Sequence, residues 1–379
     1  MGKHLKIKII SFAWSRNRQG ADLSELLSER GHIVTLYELD ERPGTGTGQK
    51  SYSRIAIRSD ILRLDESNRT VPFVLGAFRR ALFLKHALWG RCDVVIAINY
   101  PILRVAAIIA RMNRGKLVYY PLEFVEDART RKRERRSCDR SCDMILGVEP
   151  NRLAILTQNL KRHVPSFVVP NAPRKGIPTE PRGRLIEYLR EKYGFDLTER
   201  LVLFHGVYHK HARLESLISG THDWPNHVRL ALMMTGKTPE VFNRLVRRFH
   251  EKVVLIPPVK HEELFEWVRD ATIGLLPYED DISLNVKYCS PQKMFDFLAC
   301  GVPFIGSKRP LIEEIIEKSK AGVCIDMTSG ADIARAIKSM LAQPAWLEEM
   351  SKNARKAYEE YFNYDNLIES ALNYTEEHF

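Results

Sequence analysis

The sequence predicts an α/β protein built from two tandem, doubly wound parallel-sheet domains that face a cleft. Three observations predict this class: short apolar runs alternate with helical patterns in residues 1–172, a proline-rich connection begins at Pro170, and the alternation restarts in residues 173–362. Such alternation is typical of parallel sheets covered by helices on both faces. Residues 363–379 are expected to form a helix that packs back on the first domain.

Six short apolar runs of the first domain are predicted as strands, at 7–12, 33–39, 92–98, 116–120, 144–148 and 166–169. An amphipathic helix is predicted at 20–31 and ends at Gly31. Prolines at 170, 173, 178 and 181 then interrupt the pattern. Because proline donates no backbone N–H to a sheet or a helix, this run marks the domain boundary.

The second domain repeats the pattern, with predicted strands at 201–205, 229–235, 252–256, 271–276, 303–306 and 322–325. Helical patterns lie between them, among them 261–270, 291–300 and 331–343. Ligands of doubly wound sheets bind beyond the carboxyl ends of the strands. Residues that follow these strands are therefore the candidates for a binding site.

The composition is that of a soluble globular protein, with 44% hydrophobic and 28% charged residues. No apolar run approaches the ~18 residues that span a bilayer, and the first residues lack a signal-peptide pattern. We therefore expect a cytoplasmic protein. Peripheral attachment to the cytoplasmic membrane face is compatible with this expectation. The six cysteines lack the spacing of zinc or redox sites, so reduced thiols and no metal site are expected.

All of the excess positive charge lies in the first domain. Residues 1–172 carry 30 Lys and Arg against 17 Asp and Glu, a balance of +13, whereas the rest of the chain has 28 against 30, a balance of −2. The asymmetry predicts an anionic partner, which is a membrane surface, a phosphorylated acceptor or nucleic acid. Nucleic acid is not expected, because no zinc-finger spacing, RNP-like motif or helix-turn-helix pattern accompanies the charge.

Two segments concentrate this charge and are candidates for membrane or acceptor contact. Residues 129–136 carry six cations and one Glu, and residues 73–89 mix large apolar side chains with cations, as helices in a membrane interface do. The candidate residues are Arg79, Arg80, Arg131, Lys132, Arg133, Arg135 and Arg136. The alternative is a core helix with a solvated cationic face, together with a charged surface loop.

The segment that begins at Ser290 predicts a phosphate-binding helix. Ser290 is a good N-cap, Pro291 suits the first helical position, and a glycine ends the helix. The start of a helix attracts anions. Lys293 in the first turn is unfavourable by roughly 0.3–1 kcal/mol on the dipole alone, and makes sense beside a bound phosphate. Asp296, one turn deeper, is placed to accept hydrogen bonds from ribose. The alternative is a core helix with an incidental Lys293–Asp296 pair.

Two further strand ends of the second domain point to the same edge. Gly206 ends the first of these strands, where a glycine lets backbone approach a ligand closely, and Lys210 or Arg213 follows to neutralise phosphate. Gly236 and Lys237 end the second strand. Three such ends around one cleft predict a nucleotide diphosphate as the ligand.

These residues resemble those of glycosyltransferases of the GT-B fold, in the family 4-like group, whose two domains are Rossmann-like. The resemblance covers nearly the whole chain. In the second domain it rests on Leu276-Pro277-Tyr278, Asn285, the spacing of Pro291, Lys293 and Asp296, the Ala299-Cys300-Gly301-x-Pro303 end, and Gly206, Gly236 and Gly322. In the first domain the similar strand ends are 93–96, 118–119, 123, 142–145 and 168–171.

The resemblance implies transfer of a hexose- or N-acetylhexosamine-type sugar from a UDP- or GDP-linked donor on the second domain to an acceptor on the first. Family members usually retain the anomeric configuration and need no metal or other cofactor. An anionic or lipid-linked glycan acceptor is expected, which would place the protein in glycan biosynthesis. Lys293 would hold the diphosphate and compensate the leaving group's charge, with Asp296 on the ribose and Glu123 as the second catalytic candidate.

The sequence departs from the family at three places. Tyr288 stands where the family has an acid near the donor sugar, Glu123 alone remains of a usual His-Glu pair, and Lys210 and Arg213 substitute for a displaced Arg. Replacements for the missing carboxylate are Glu279, Asp280 and Asp281, although their spacing differs from the motif. Two other functions stay open: a catalytically weak GT-B subunit that binds a glycan or a partner enzyme, and a nucleotide-sugar epimerase.

Overall fold

The computed structural model of the protein contains two compact units, each built on one parallel sheet. It describes residues 4–14, 18–40, 51–58, 71–178, 180, 183–196, 199–208, 212, 214–278, 283–327 and 329–379. The first unit comprises Met1–Pro170 with Leu367–Phe379, and the second is Asn171–Asn366. The predicted α/β class with two parallel-sheet domains is thereby confirmed.

The described strands of the first unit form one sheet in the order β3-β2-β1-β4-β5-β6-β7, with every pair parallel. They are β1 (Lys6–Trp14), β2 (Ile33–Asp40), β3 (Ser53–Arg58), β4 (Val94–Ile98), β5 (Lys116–Tyr120), β6 (Met144–Gly147) and β7 (Ser166–Val168). Strand β3 was not predicted. It is an edge strand in which Arg54 and Arg58 leave an apolar run of only three residues, 55–57. So short a run does not predict a strand.

Four helices of the first unit share one face of this sheet. The helices of the unit's first 170 residues are α1 (Arg18–Glu29), α2 (Val71–Ala87), α3 (Tyr100–Asn113), α4 (Ala128–Ser141) and α5 (Pro150–Thr157). Phe83 of α2, Ile109 of α3, Cys138 of α4 and Leu153 of α5 belong to one buried cluster that includes Tyr119 of β5. Helices α2 to α5 therefore form a single layer, and their outer sides face solvent together.

The second unit has a parallel sheet in the order β10-β9-β8-β11-β12-β13. Its strands are β8 (Arg200–Val207), β9 (Val228–Thr235), β10 (Val253–Ile256), β11 (Ile273–Leu276), β12 (Phe304–Ser307) and β13 (Gly322–Ile325). Its helices are α6 (Arg184–Tyr193), α7 (Leu214–Gly220), α8 (Glu240–Arg248), α9 (Leu264–Val268), α10 (Leu284–Lys287), α11 (Gln292–Cys300), α12 (Pro310–Ser319), α13 (Gly330–Leu341) and α14 (Pro344–Glu360). The strand order reverses between β8 and β11, which is the switch point where doubly wound sheets bind ligands.

The last helix, α15 (Tyr364–His378), contributes most of its length to the first unit. Its Glu376 carboxylate lies 3.1 Å from the Arg30 guanidinium, and the ring of Tyr374 lies 5.6 Å from that of Phe167. The first unit is thus discontinuous in sequence, because it is completed by the end of the chain.

Candidate functional site

The switch point of the second sheet brings together the ends of β8 and β11. Gly206 is the second-to-last residue of β8, and beyond β11 the chain continues into Pro277 and Tyr278. The backbone N–H of Tyr278 donates to the Ser307 hydroxyl at 2.8 Å, which fixes the end of β11 against the neighbouring β12. Helix α11 begins close to these strand ends, since Lys293 in its first turn reaches both.

The start of α11 differs by one residue from the prediction. The helix runs from Gln292 to Cys300, and Pro291 occupies the N-cap position without a side-chain capping bond. The expectation that Ser290 is the N-cap is therefore wrong. Its hydroxyl instead accepts the backbone N–H of Asn171 at 3.4 Å, and the Asn171 amide donates to the Ser290 carbonyl at 3.0 Å. Asn171 thus anchors the turn that leads into the helix.

Lys293 lies in the first turn of α11 and points between two aromatic rings. Its Nζ is 4.4 Å from the ring centre of Phe204 on β8 and 5.5 Å from that of Tyr278. Among the residues that the structure describes, no ion pair joins this ammonium to a carboxylate. Burial lowers the pKa of Lys293 to about 8, and the weaker opposing influences of Cys289 and Asp296 do not restore it. A cation held in this state is set up to receive an anion.

Gly206 leaves space beside this ammonium. Its φ of +130° is a backbone conformation that residues with a side chain rarely adopt. A Cβ atom at this position would lie 3.5 Å from both Cε and Nζ of Lys293. A side chain here would therefore occupy the space next to the ammonium.

Asp296 follows Lys293 by less than one turn of α11 and is buried, with an exposed fraction of 2%. Its Oδ2 lies 3.9 Å from Nε2 of His205, the residue before Gly206 on β8. The His205 ring packs edge-on against Phe297 at 5.3 Å. The acid, the histidine and the lysine therefore converge on the end of β8, and sequence reasoning missed His205 because a lone histidine before a glycine gives no signal.

The other predicted residues of the second unit are less closely grouped. Gly236, with a φ of +85°, and the exposed Lys237 follow β9, which pairs with β8. Tyr288 ends the short helix α10. The remaining candidates lie outside the described residues; they are Lys210, Arg213, Glu279, Asp280 and Asp281.

Glu123, the catalytic candidate of the first unit, lies in the loop between β5 and α4 and is exposed. The loop is held by Asn99, which follows β4 and has a positive φ of 71°. The side-chain oxygen of Asn99 accepts the backbone N–H groups of Leu122 at 2.9 Å and of Glu123 at 3.0 Å. Asn99 also donates its own N–H to the carbonyl of Tyr120 at 3.2 Å. Sequence reasoning missed Asn99, although its position directly after a buried strand was a usable signal.

Two arginines hold the same loop from the other side. Arg152 of α5 donates to the Leu122 carbonyl at 3.2 Å, and Arg131 of α4 donates to the carbonyls of Val125 and Glu126 at 3.1 and 3.3 Å. Both guanidinium groups lie over the ring of Phe124, at 6.0 and 5.3 Å. The arginines therefore fix the backbone around Glu123 through hydrogen bonds to its carbonyl groups.

The predicted membrane or acceptor residues fall into two sets. Arg131 is turned toward the loop, and Arg135 donates to the Ile155 carbonyl at 2.9 Å, so both point toward the protein rather than to solvent. Arg79 and Arg80 are half-buried. Lys132, Arg133 and Arg136 are exposed. The charge run is thus a helix with one solvated cationic side, and not a uniform surface loop.

A buried acid lies beneath the outer surface of α4. Glu134 is 4% exposed and accepts a hydrogen bond from the Tyr119 hydroxyl at 2.5 Å. Burial raises the pKa of Glu134 to about 7, while the tyrosine and the nearby Arg131 and Arg135 act in the opposite direction. Glu134 is therefore a structural acid that is partly protonated at neutral pH.

Neither a membrane span nor a metal cluster is found in the described parts of the chain. None of the helices there combines the length and apolar character that crossing a bilayer requires. In the same residues, no three His, Cys, Asp or Glu side chains are grouped as metal ligands would be. All six cysteines are free thiols.

Residues 182–373, most of which belong to the second unit, match the family model described as "Glycosyl transferase-like", and this range is just over half of the chain. A curated relative is N-acetyl-alpha-D-glucosaminyl L-malate synthase from Bacillus anthracis, 22% identical over 183 residues. The match covers 48% of this chain and 46% of that protein, so the chain matches less than half of the relative's length.

Solved structures match over the whole chain. Sucrose-phosphate synthase from Thermosynechococcus elongatus is 16% identical with a TM-score of 0.79, and the match covers 99% of each chain. HepE from Anabaena, solved in complex with UDP-glucose, is 12% identical with a TM-score of 0.74, and the match covers 99% of this chain and 100% of that one. At these identities the likeness establishes the fold, which is the two-domain architecture called GT-B.

Proposed function

The chain belongs to the glycosyl transferase-like family, and from this premise we propose that it transfers a sugar from a UDP- or GDP-linked donor whose pyrophosphate binds at Lys293. The observation that carries the proposal is the Lys293 ammonium, which is partly buried at the sheet's switch point and has no ion-pair partner among the described residues. The start of α11 adds backbone N–H groups and the positive end of a helix dipole.

The chemistry of the site suits a departing nucleoside diphosphate. When the bond between sugar and phosphate breaks, negative charge grows on the β-phosphate, and a fixed cation stabilises that charge more strongly where water is partly excluded. Gly206 leaves the adjacent space open. The likeness in fold to HepE, which was solved with UDP-glucose, supports a nucleotide-sugar donor.

Asp296 is the proposed ligand of the ribose. It lies on the same side of α11 as Lys293 and is close to His205. Because its carboxylate is buried, a ribose hydroxyl that reaches it would bind without strong competition from water. Lys237 and Gly236 at the end of β9, together with Lys210 and Arg213, complete the proposed contacts to the donor.

The acceptor is proposed to bind the first unit, with Glu123 facing its reactive hydroxyl. The charge balance of +13 over residues 1–172 favours an anionic or lipid-linked glycan acceptor, presented at the cytoplasmic face of the membrane. The name of the curated relative, an N-acetylglucosaminyl malate synthase, favours a hexosyl or N-acetylhexosaminyl group. Retention of the anomeric configuration is proposed on the resemblance to family 4-like enzymes.

A panel of UDP- and GDP-sugars tests the proposal through donor turnover and the thermal shift of the full chain. Lys293→Ala should lower kcat/KM for the preferred donor by about 10²–10³-fold, the cost of losing one preorganised charge-stabilising group. Lys308→Ala is the matched control, because Lys308 follows the neighbouring β12 but is paired with Asp326 at 2.7 Å. Equal activity of both variants would refute the site.

Two other outcomes would change the function assigned. Binding of UDP or GDP without turnover of any donor would indicate a catalytically weak subunit. Conversion of a UDP-sugar into its epimer, without release of the nucleotide, would indicate an epimerase.

A further inference from the structure

We propose that the outer side of the layer formed by α2, α3 and α4 docks on an anionic lipid surface. The inference deepens the membrane location in the proposed function. Its experiment measures lipid binding without sugar transfer, so that either proposal can fail alone.

The cations of α4 form one exposed stripe. The exposed basic residues of this helix are Arg129, Lys132, Arg133, Arg136 and Arg140. At 100° per residue they fall within a sector about 100° wide, opposite the buried Glu134 and Cys138. In the described part of the chain, no carboxylate forms an ion pair with any of the five. At the helix N-cap, the exposed Asp127 carboxylate attracts the Arg129 charge. The uncompensated part of this row of positive charge therefore runs from Lys132 to Arg140.

The neighbouring helices α2 and α3 contain no acidic residues. The sequence contains no Asp or Glu in residues 67–92 or 94–122, which include α2 and α3. Within α4, Glu134 is buried and Asp139 accepts the backbone N–H groups of Lys161 and Arg162 at 2.7 and 3.3 Å. The exposed Glu126 and Asp127 precede α4, so the potential is positive with little local neutralisation over the rest of this layer.

Large apolar side chains stand exposed among these charges. Trp89, after α2, is 78% exposed, and Met112 and Ile108 of α3 are 63% and 46% exposed. Helix α3 packs between α2 and α4 in the layer. Met112 and Ile108 therefore lie on the helix next to the cationic stripe, and Trp89 follows the helix on the other side of α3. Exposed apolar groups flanked by cations are typical of surfaces that insert shallowly into the interface of a bilayer.

The backbone at Trp89 is held by a buried lysine. The buried Lys8 ammonium donates hydrogen bonds to the carbonyls of Ala87, Trp89 and Gly90 at 2.8, 2.7 and 2.7 Å. These bonds close the end of α2 and fix the backbone of Trp89. The backbone that carries this exposed side chain is therefore fixed, and an indole ring at that place suits the boundary between lipid headgroups and acyl chains.

A bilayer fits this surface better than nucleic acid does. A polyanion such as DNA would use the arginines and lysines, but it offers no apolar phase for Met112 and Ile108. An anionic leaflet uses both kinds of side chain at once. The occupant is therefore assigned as anionic lipid.

Sedimentation with vesicles tests the assignment on the full chain. Wild-type protein should bind vesicles of phosphatidylcholine with 30% phosphatidylglycerol and should bind pure phosphatidylcholine far less. The variant Arg129→Gln, Lys132→Gln, Arg133→Gln, Arg136→Gln should lose about fivefold in partition coefficient per cation, or several hundredfold in total. The matched control removes four exposed cations of the second unit, with Arg244→Gln, Lys260→Gln, Lys338→Gln and Lys356→Gln, and should bind nearly as well as wild type.

A second variant separates lipid from other polyanions. Trp89→Ser with Met112→Ser should weaken binding to the same vesicles at least ~10-fold while leaving the salt dependence in place. Thermal melting without ligand serves as the control for folding in every variant. Equal binding by the α4 variant and its control would overturn the proposal. It would also be overturned if the Trp89 and Met112 changes had no effect while a DNA duplex displaced the protein from vesicles.

Discussion

Replacing Lys293 by methionine should make the protein more stable and much less active. The ordinary lysine pKa of 10.5 falls to about 8 for Lys293 because of burial. That difference corresponds to about 3 kcal/mol of cost for keeping the ammonium charged at neutral pH. Solvent that reaches the half-buried side chain reduces this cost, so a gain in unfolding free energy of about 1–2 kcal/mol is expected for Lys293→Met at pH 7.

The pH dependence gives this prediction a sign. Because the pKa of Lys293 is lower in the folded chain than in the unfolded one, the unfolded chain binds more protons between pH 8 and 10.5, and wild-type stability rises with pH in that window. The advantage of Lys293→Met should therefore shrink as pH approaches 10.5.

The assay combines chemical denaturation at pH 7 and pH 10 with donor kinetics at pH 7. Donor kcat/KM should fall by about 10²–10³-fold in Lys293→Met. A variant that is less stable than wild type at pH 7, or that keeps wild-type turnover, would refute the reasoning. Lys308→Met, which removes a cation already paired with Asp326, is the control and should be neutral or slightly destabilised.

Three further changes have defined outcomes. Gly206→Ala places a residue with a side chain at a backbone φ of +130° and directs its Cβ toward the Lys293 ammonium. Thermal melts should show a loss of about 1–3 kcal/mol in unfolding free energy, and calorimetry should show a lower affinity for UDP. Asn99→Ala removes the acceptor for two loop N–H groups, so the kcat for sugar transfer to the acceptor should fall about tenfold or more while UDP affinity is unchanged. Asn99→Asp should restore part of this kcat. An unchanged kcat in Asn99→Ala would exclude a positioning role. Glu134→Gln removes an acid whose pKa is raised to about 7, so the wild type loses stability as pH rises from 4.5 through 7 and the variant lacks this loss. The unfolding free energy of the variant should exceed that of the wild type by about 2–3 kcal/mol at pH 8. Parallel pH curves for the two proteins would contradict this assignment.

The sequence predicts the architecture because parallel strands between two helical layers are continuous apolar runs. Strand β4, Val94–Ile98, is buried at every residue, and such a run is hard to mistake. The edge strand β3 has no such run, since Arg54 pairs with Glu38 of β2 at the sheet margin. Edge strands often carry charged side chains, which discourage pairing with another chain. A search for apolar runs then fails to find such a strand.

The site was predictable where its chemistry is local in the chain. Lys293 near a helix start was recognised from spacing, but its aromatic neighbours Phe204 and Tyr278 come from other strands and gave no pattern in sequence. The helix starts one residue later than predicted, and Ser290 binds Asn171 across 119 positions of chain instead of capping the helix. No local capping rule contains such a contact.

The division of the charge run on α4 was accessible from helical geometry. Arg131 and Arg135 lie on the same side as Cys138 when 100° is allotted to each residue, whereas Arg129, Lys132 and Arg136 lie opposite. A count of the charges in residues 129–136 does not distinguish the two sides of the helix. The structure turns the first pair toward backbone carbonyls and leaves the others in solvent.

The central claim is that the β-phosphate of a nucleotide donor rests on the ammonium beside Gly206. Calorimetric titration of UDP and of UMP, or of GDP and GMP if guanine is preferred, into wild type and Lys293→Met tests it most directly. The account predicts that wild type prefers the diphosphate by about tenfold or more, a difference of about 1.4 kcal/mol, and that the variant loses this preference while its affinity for the monophosphate stays the same. An equal preference for the diphosphate in both proteins would contradict it.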